Sequence, residues 1–294
     1  MKQQTRGSLM LLLCAMVWGA AFVAQSEGMN YVGPFTMQAA RYFLAGLVLV
    51  PVIFLRDKKG ISVRPAGKQA RHQFVCGVIC GVILCAASII QQYGIIHTTV
   101  GKSGFMYIIL VPFLGLFVKL RVKLMNWVCA ILALMGLYLL CAGGEGLSGV
   151  NYGDWLTLLC AVFFACHILF IDRACHDLDG VRLSCVQFFT ASAVSILPML
   201  LLEHPSWAAV QSAWLPIVYA GVFSGGVGYT LQILGQQLVP PTLASMILSL
   251  ESVFAVLFGW LILHQALSAR ELLGCLVIFI AIVIAQLPSK ETAA

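Results

Sequence analysis

The sequence predicts an all-α integral membrane protein, with ten transmembrane helices arranged as two inverted five-helix repeats. Three observations carry this. Of the 294 residues, 61% are hydrophobic and only 10% are charged, whereas a soluble domain carries about a quarter charged residues. The apolar residues come in blocks of about twenty, the length needed to cross a bilayer core as a helix. Short motifs of the first half recur, in the same order, in the second.

The blocks run Ser8–Gln25, Pro34–Leu55, Phe74–Ile96, Thr99–Lys119, Leu124–Ala142, Tyr152–Ile171, Val181–Leu202, Ala213–Gly235, Pro241–Leu263 and Ser268–Gln286. Backbone groups in lipid must bond within the segment, so each block is expected to be helical. Barrel strands would alternate and would be about half as long. Lys2 and Arg6 precede the first block, and "FVAQS" resembles a weak leader-cleavage site. The run of about nineteen residues is longer than a usual signal core and is read as a retained first span. Pro51 and Pro198 are expected to close the second and seventh blocks. Pro112 falls mid-way along the fourth, where a missing N–H frees a carbonyl and permits a bend.

The net charge of +6 sorts by side. With the N-terminus inside, fourteen of the 17 Lys and Arg fall on the inner face, from Lys2 and Arg6 to Lys290. Only Lys102 and Arg270 lie near the outer face, and Arg41 is within a span. By the positive-inside rule both termini are cytoplasmic. The basic charge is therefore topological, and nucleic acid is not expected as a partner. No loop is long enough for a soluble catalytic domain. The eleven cysteines fall mostly within spans, Cys76, Cys80 and Cys85 in one helix, and read as small packing residues. A metal site would want converging ligands with second-shell partners, so neither metal nor cofactor is expected.

The halves align weakly. "LLCAMVWGA" (Leu12–Ala20) matches "LLCAVFFAC" (Leu158–Cys166) at an offset of 146. Gln91-x-x-Gly94 matches Gln232-x-x-Gly235, and "LVPFLGLF" (Leu110–Phe117) lies against "LESVFAVL" (Leu250–Leu257). Five spans is an odd number, so the second unit enters the membrane upside down. The expected domains are residues 1–145 and 146–294. Inverted repeats are the architecture of secondary transporters, with the site near the midplane between repeats.

The chain resembles the drug/metabolite transporter superfamily, in its ten-helix form with two EamA domains. The resemblance is carried by "MVWGAAFV" in the first block, Pro34 and Arg41 in the second, "YGIIHTTVGKSGF…VPFLGLF" across the third and fourth, and "LQILGQQLVPPTLASMILSLESVFAVLFGWLILHQALS" across the eighth and ninth. It implies a carrier of small metabolites in a bacterial inner membrane, often working outward. It also implies a central cavity lined by blocks one, three, four, six, eight and nine. Two departures stand out. Leu250-Glu251-Ser252 replaces a family leucine-glutamate-proline, and His264-Gln265 replaces a glycine-glutamate at the end of the ninth block.

Ionisable groups in a bilayer cost roughly 2.5–3.5 kcal/mol or more at its centre, so each calls for a reason. Glu251 lies ~15 Å into its block at about 1.5 Å per residue, near the midplane. It is read either as a protonatable coupling site or as the fixed partner of Arg41 or Lys102. Arg41, ~10 Å from the outer face, suits either a bidentate grip on an anionic group or a structural pair. Lys102 is one turn inside that face, where snorkelling competes with binding. The repeat-related Gln91 and Gln232 should both face a pseudo-symmetric cavity. Trp18, too deep for an interfacial belt, either lines that cavity or packs. His167 is a buried histidine that is either satisfied by packing partners or used.

Enzyme chemistry is not expected. "GKS" at Gly101–Ser103 lacks the P-loop glycine five residues earlier, where Ile96 stands. The chain shows no G-x-S-x-G or H-E-x-x-H, and Asp154 and Asp172 sit at opposite ends of one block. "GGVGYT" (Gly225–Thr230) shares letters with a potassium filter in the wrong order. The reading is a secondary carrier of a small polar or amphipathic metabolite working by alternating access, with protons as the coupling partner. An intramembrane enzyme and a channel-like protein are the alternatives.

Overall fold

The computed structural model describes residues 2–62, 64–97, 113–114, 124–141, 152–263 and 268–286. Every regular element among them is helical. The helices are α1 (Lys2–Gly28), α2 (Pro34–Lys58), α3 (Gly67–His97), α4 (Leu124–Cys141), α5 (Tyr152–Ala174), α6 (Gly180–Pro198), α7 (Trp207–Ser212), α8 (Trp214–Val218), α9 (Thr230–Gln236), α10 (Pro241–Leu248), α11 (Leu250–Leu263) and α12 (Ala269–Gln286). Two π-helical stretches, Met199–Glu203 and Tyr219–Tyr229, continue α6 and join α8 to α9. Among the described residues, seven helical rods are long and apolar enough to cross a membrane. They correspond to the first, second, third, sixth, seventh, eighth and ninth blocks. Apart from Phe113 and Leu114, the fourth block lies outside the described residues, and so do Lys102 and Pro112.

Several expected boundaries move. α1 begins at Lys2 and α3 at Gly67, several residues before their apolar blocks. Hydropathy marks only the stretch facing lipid, while Lys, Gln and Arg are good helix formers and carry the helix beyond it. Pro51 does not close the second block. It sits inside α2, which runs on to Lys58. Pro198 does mark a change, from α to π winding. The ninth block is not one helix either: it divides at Ser249 without any proline there. Ser249 Oγ instead donates to the Met246 carbonyl at 2.6 Å, a local bond that competes with the regular ladder.

Helix pairing follows the order of the blocks. α2 packs on α6, α4 on α12, α3 on α5, and α1 on the rod 214–236. Each of these pairings maps onto itself or another when the first five blocks and the last five are exchanged. The α2–α6 seam repeats this residue by residue at the offset of 146. Ser192 Oγ donates to the Ala39 carbonyl, and Cys185 Sγ to that of Gly46. The rings of Phe43 and Phe189, equivalent under the same shift, meet edge to face at 6.0 Å. Asp57 accepts from Arg182 at one end of the seam, and Glu203 accepts from Thr36 Oγ1 at 2.6 Å at the other.

The two helix starts are capped by the same chemistry from different sources. Asp179 precedes α6, and its carboxylate accepts from Val181 N and Arg182 N, both at 3.0 Å. Gly33 precedes α2 and has no side chain to offer. There the Glu203 carboxylate accepts from Phe35 N at 2.8 Å and Thr36 N at 2.7 Å, the same second and third helical positions. A Cβ on Gly33 would lie 2.3 Å from Glu203 Cδ, so glycine makes room for the borrowed cap. N-terminal amides have no partner within their own helix and favour an anion. We therefore expect Glu203→Ala to cost about 1–2 kcal/mol, as loss of a good cap does. Asp57→Ala breaks a partly exposed ion pair with Arg182 and a hydrogen bond from Ser62 Oγ, and should cost less than the lost cap. Thermal denaturation of the two variants in detergent checks the order.

The candidate functional site: a buried polar cavity

The close approach of the 214–236 rod to α1 and α2 sets the geometry of the site. Gly221, Gly225, Gly226 and Gly228 fall in its π-wound stretch. Glycine is a poor α-former, costing about 1 kcal/mol per residue against alanine, and such π segments occur often at functional sites. A Cβ on Gly225 would lie 2.6 Å from that of Ala45, and one on Gly228 would lie 2.5 Å from Trp18 Nε1. Bare backbone here lets Trp18 Nε1 donate to the Ser224 carbonyl at 3.2 Å. The Trp18 ring packs against Tyr229 with centroids 4.5 Å apart. Gly228→Leu would drive a side chain into Trp18. We expect it to disrupt folding and the cavity together, seen as loss of monodisperse protein on size-exclusion chromatography.

Arg41 is the centre of the polar network. It is 3% exposed, and Nη1 donates to Gln25 Oε1 at 2.5 Å. Nη2 donates to Gln38 Oε1 at 3.0 Å and to the Tyr42 hydroxyl at 3.3 Å. Gln38 Nε2 donates in turn to the Cys85 carbonyl of α3. Tyr42 shares a 2.6 Å hydrogen bond with Ser88 and reaches Tyr229 OH at 3.5 Å. The guanidinium is thus fixed by neutral acceptors from α1 and α2, and the network ties both to α3 and the 214–236 rod. Among the described residues, Arg41 Nε has no hydrogen-bond partner.

Beside this network lies a narrow cavity of about 30 Å³, lined by Trp18, Phe22, Gln25, Arg41, Gln91, Phe164, Ile168, Ser224, Tyr229, Gln232, Leu248 and Glu251. It gathers five of the seven residues singled out from sequence: Trp18, Arg41, Gln91, Gln232 and Glu251. Glu251 is 5% exposed, in the first turn of α11 just after the break at Ser249. His167 is fully buried but lines no part of the cavity, and its Nε2 pairs with Gln187 Oε1 at 3.1 Å. Lys102 lies outside the described residues. The expected lining by blocks one, three, six, eight and nine is present, and Arg41 adds the second block. Sequence reasoning missed Gln25, which stands out afterwards as a polar residue late in an apolar block. It also missed Tyr229, hidden in the glycine-rich "GGVGYT". Phe22, Phe164, Ile168 and Leu248 carry no sequence signal that separates them from lipid-facing neighbours.

Seven apolar rods, each long enough to cross a membrane, stand around a cavity that carries buried polar and charged side chains, the build of a multi-pass membrane protein. The sequence profile of the EamA-like transporter family matches twice, over residues 5–142 and 151–286. The chain belongs to that family. It is similar to an uncharacterized transporter of Archaeoglobus fulgidus, 28% identical over 281 residues, covering 94% of this chain and 84% of that protein. It is also similar to the uncharacterized inner membrane transporter YedA of Escherichia coli, 24% identical and covering 92% of this chain and 88% of that one. The S-adenosylmethionine/S-adenosylhomocysteine transporter of Chlamydia muridarum is 24% identical, covering 92% of this chain and 90% of its own. A solved crystal structure superposes with a TM-score of 0.78 at 18% identity, covering 98% of this chain and 99% of its own, a likeness of fold.

Proposed function

We propose that the protein is a secondary transporter that carries a small polar or amphipathic metabolite across the bacterial inner membrane by alternating access, coupled to protons through Glu251. The observation that carries this reading is a cavity in which a carboxylate and a fixed guanidinium are buried together among aromatic rings. Such groups are costly in a membrane interior and mark substrate or ion pathways there. Arg41 suits an anionic group of the cargo, Trp18 and Tyr229 a flat or apolar body, and Gln91 and Gln232 its polar edges. One relative is named as a transporter of S-adenosylmethionine and S-adenosylhomocysteine.

The architecture proposed with it is ten spans in two inverted units, residues 1–145 and 146–294, with both termini cytoplasmic. The seam contacts related by a shift of 146 support an inverted repeat. In this arrangement reporter fusions after Arg64 and Lys123 read inside, and fusions near Gly144 and His204 read outside. Gly144 reading inside breaks the five-span unit. Transport itself is tested with purified protein in liposomes, by saturable uptake of labelled metabolites driven by an imposed pH gradient. Unsaturable, gradient-independent leak would instead mark a channel.

A further inference from the structure

A second set of buried polar groups lies between the cavity and the face that bears the α2–α3 loop. His167 Nδ1, Ser184 Oγ, Gln187 Nε2 and both side-chain polar atoms of Gln236 have no hydrogen-bond partner among the described residues. All four side chains are at least nine-tenths buried, with exposures of 0 to 3%. Buried polar atoms in native proteins are nearly always partnered, so a cluster of orphans calls for an explanation.

Helical spacing places the four along one route. Gln236 follows the cavity residue Gln232 by four positions, so the two share a face of α9, one turn apart. His167 follows the cavity residue Phe164 by three on α5, again one turn nearer the same end. The His167–Gln187 hydrogen bond turns the α5 and α6 stripes toward each other. On α6, Gly180 abuts Ile233 and Phe188 meets the Tyr229 ring at 5.8 Å, so Ser184 falls between two contacts with the 214–236 rod. At the far end, α1 covers the route: a Cβ on Gly235 would lie 2.8 Å from Leu11 Cγ. The α5–α6 turn is gripped there by Gln237 Nε2, which donates to the Cys175 and Leu178 carbonyls.

We propose that His167, Ser184, Gln187 and Gln236 line the passage between the central cavity and the basic face, which this conformation holds shut. Groups wetted in the open state lose their partners when α1 and α9 close over them. A purely structural cluster would pair its own donors and acceptors, because leaving them unmade is costly. The passage serves whatever crosses between the cavity and that face. It rests on the transporter reading, and the experiment separates the two.

The test places single cysteines at Gln232, Ser184 and Gln236 of the full-length protein, with the native cysteines replaced by serine or alanine. A membrane-impermeant thiosulfonate is applied to vesicles of either orientation, with a cysteine at Arg64 reporting which face is presented. We expect Gln232→Cys, Ser184→Cys and Gln236→Cys all to be modified from the Arg64 face, and Ser184→Cys and Gln236→Cys at least tenfold more slowly from the other. Modification of Gln232→Cys from the Arg64 face with Ser184→Cys or Gln236→Cys inert overturns the passage and leaves the carrier reading intact. A Gln232→Cys that resists reagent from both faces overturns the carrier reading and the passage with it. A second variant, Ser184→Ala with Gln187→Leu, keeps the fold in view. A passage predicts an unchanged or raised melting temperature and at least a tenfold fall in the rate at which Gln232→Cys is modified from the Arg64 face. A lowered melting temperature with that rate unchanged assigns the cluster to packing instead.

Discussion

Glu251→Gln is expected to abolish transport driven by a proton gradient while leaving folding and cargo binding largely in place. The residue is buried in the cavity wall, where protonation removes most of the cost of holding a carboxylate away from water. Glutamine keeps the size and hydrogen bonding of the protonated acid, so the first turn of α11 should still pack. What is lost is the ability to exchange a proton. One charge moving through ~150 mV supplies ~3.5 kcal/mol, at about 2.3 kcal/mol per 100 mV. That sustains a gradient of roughly 300-fold at one proton per cargo molecule. The measurement is concentrative uptake after a pH jump, with thermal stability recorded alongside. A folded Glu251→Gln protein that still concentrates cargo when the pH is stepped would sink the coupling role.

Arg41→Gln should behave in the opposite way, losing stability and binding together. The guanidinium is the donor to Gln25 Oε1 and Gln38 Oε1. Without it, two buried acceptors lose their donor at about 1–3 kcal/mol each. We expect a stability loss of about 2–5 kcal/mol, and cargo with an anionic group should bind at least tenfold more weakly. Arg41→Lys should not rescue it. An ammonium is a compact point charge and lacks the planar fork that reaches both amides at once. Titration calorimetry and thermal melts on the three variants separate the roles. Glu251→Gln should keep binding and lose coupling, and Arg41→Gln should lose binding. Unchanged stability in Arg41→Gln would show that Gln25 and Gln38 re-pair elsewhere at little cost.

Block length was legible because it follows from hydropathy, which acts residue by residue. Five cavity residues were legible for a related reason. A polar or large aromatic side chain in mid-membrane has few bland explanations, and Gln91 and Gln232 carried the added mark of the repeat. Helix winding was not legible. The residues of Tyr219–Tyr229 are apolar and glycine-rich whether wound as α or π, and what distinguishes them is the closeness of Ala45 and Trp18 on neighbouring rods. The break at Ser249 shows the same limit, since the side-chain bond to Met246 O that accompanies it has no mark in the apolar pattern of the block. His167 could not be placed relative to the cavity either. Helix spacing says which residues share its face, but not that Gln187 of another helix stands in front of it.

The borrowed cap makes the two halves unequal as they are made. α6 carries its anion at Asp179, one residue ahead of its first turn. α2 depends on Glu203, which leaves the ribosome some 170 residues after Phe35. During synthesis the start of α2 therefore waits, with its second and third amides served by water or headgroups, until the whole seventh block has been made. A chain stopped before Glu203 keeps its spans but cannot complete that joint. The second half can start its equivalent helix unaided. Expressed as separate pieces, residues 146–294 should hold the start of α6 on their own, while residues 1–145 should acquire an ordered start to α2 only when the other piece is supplied.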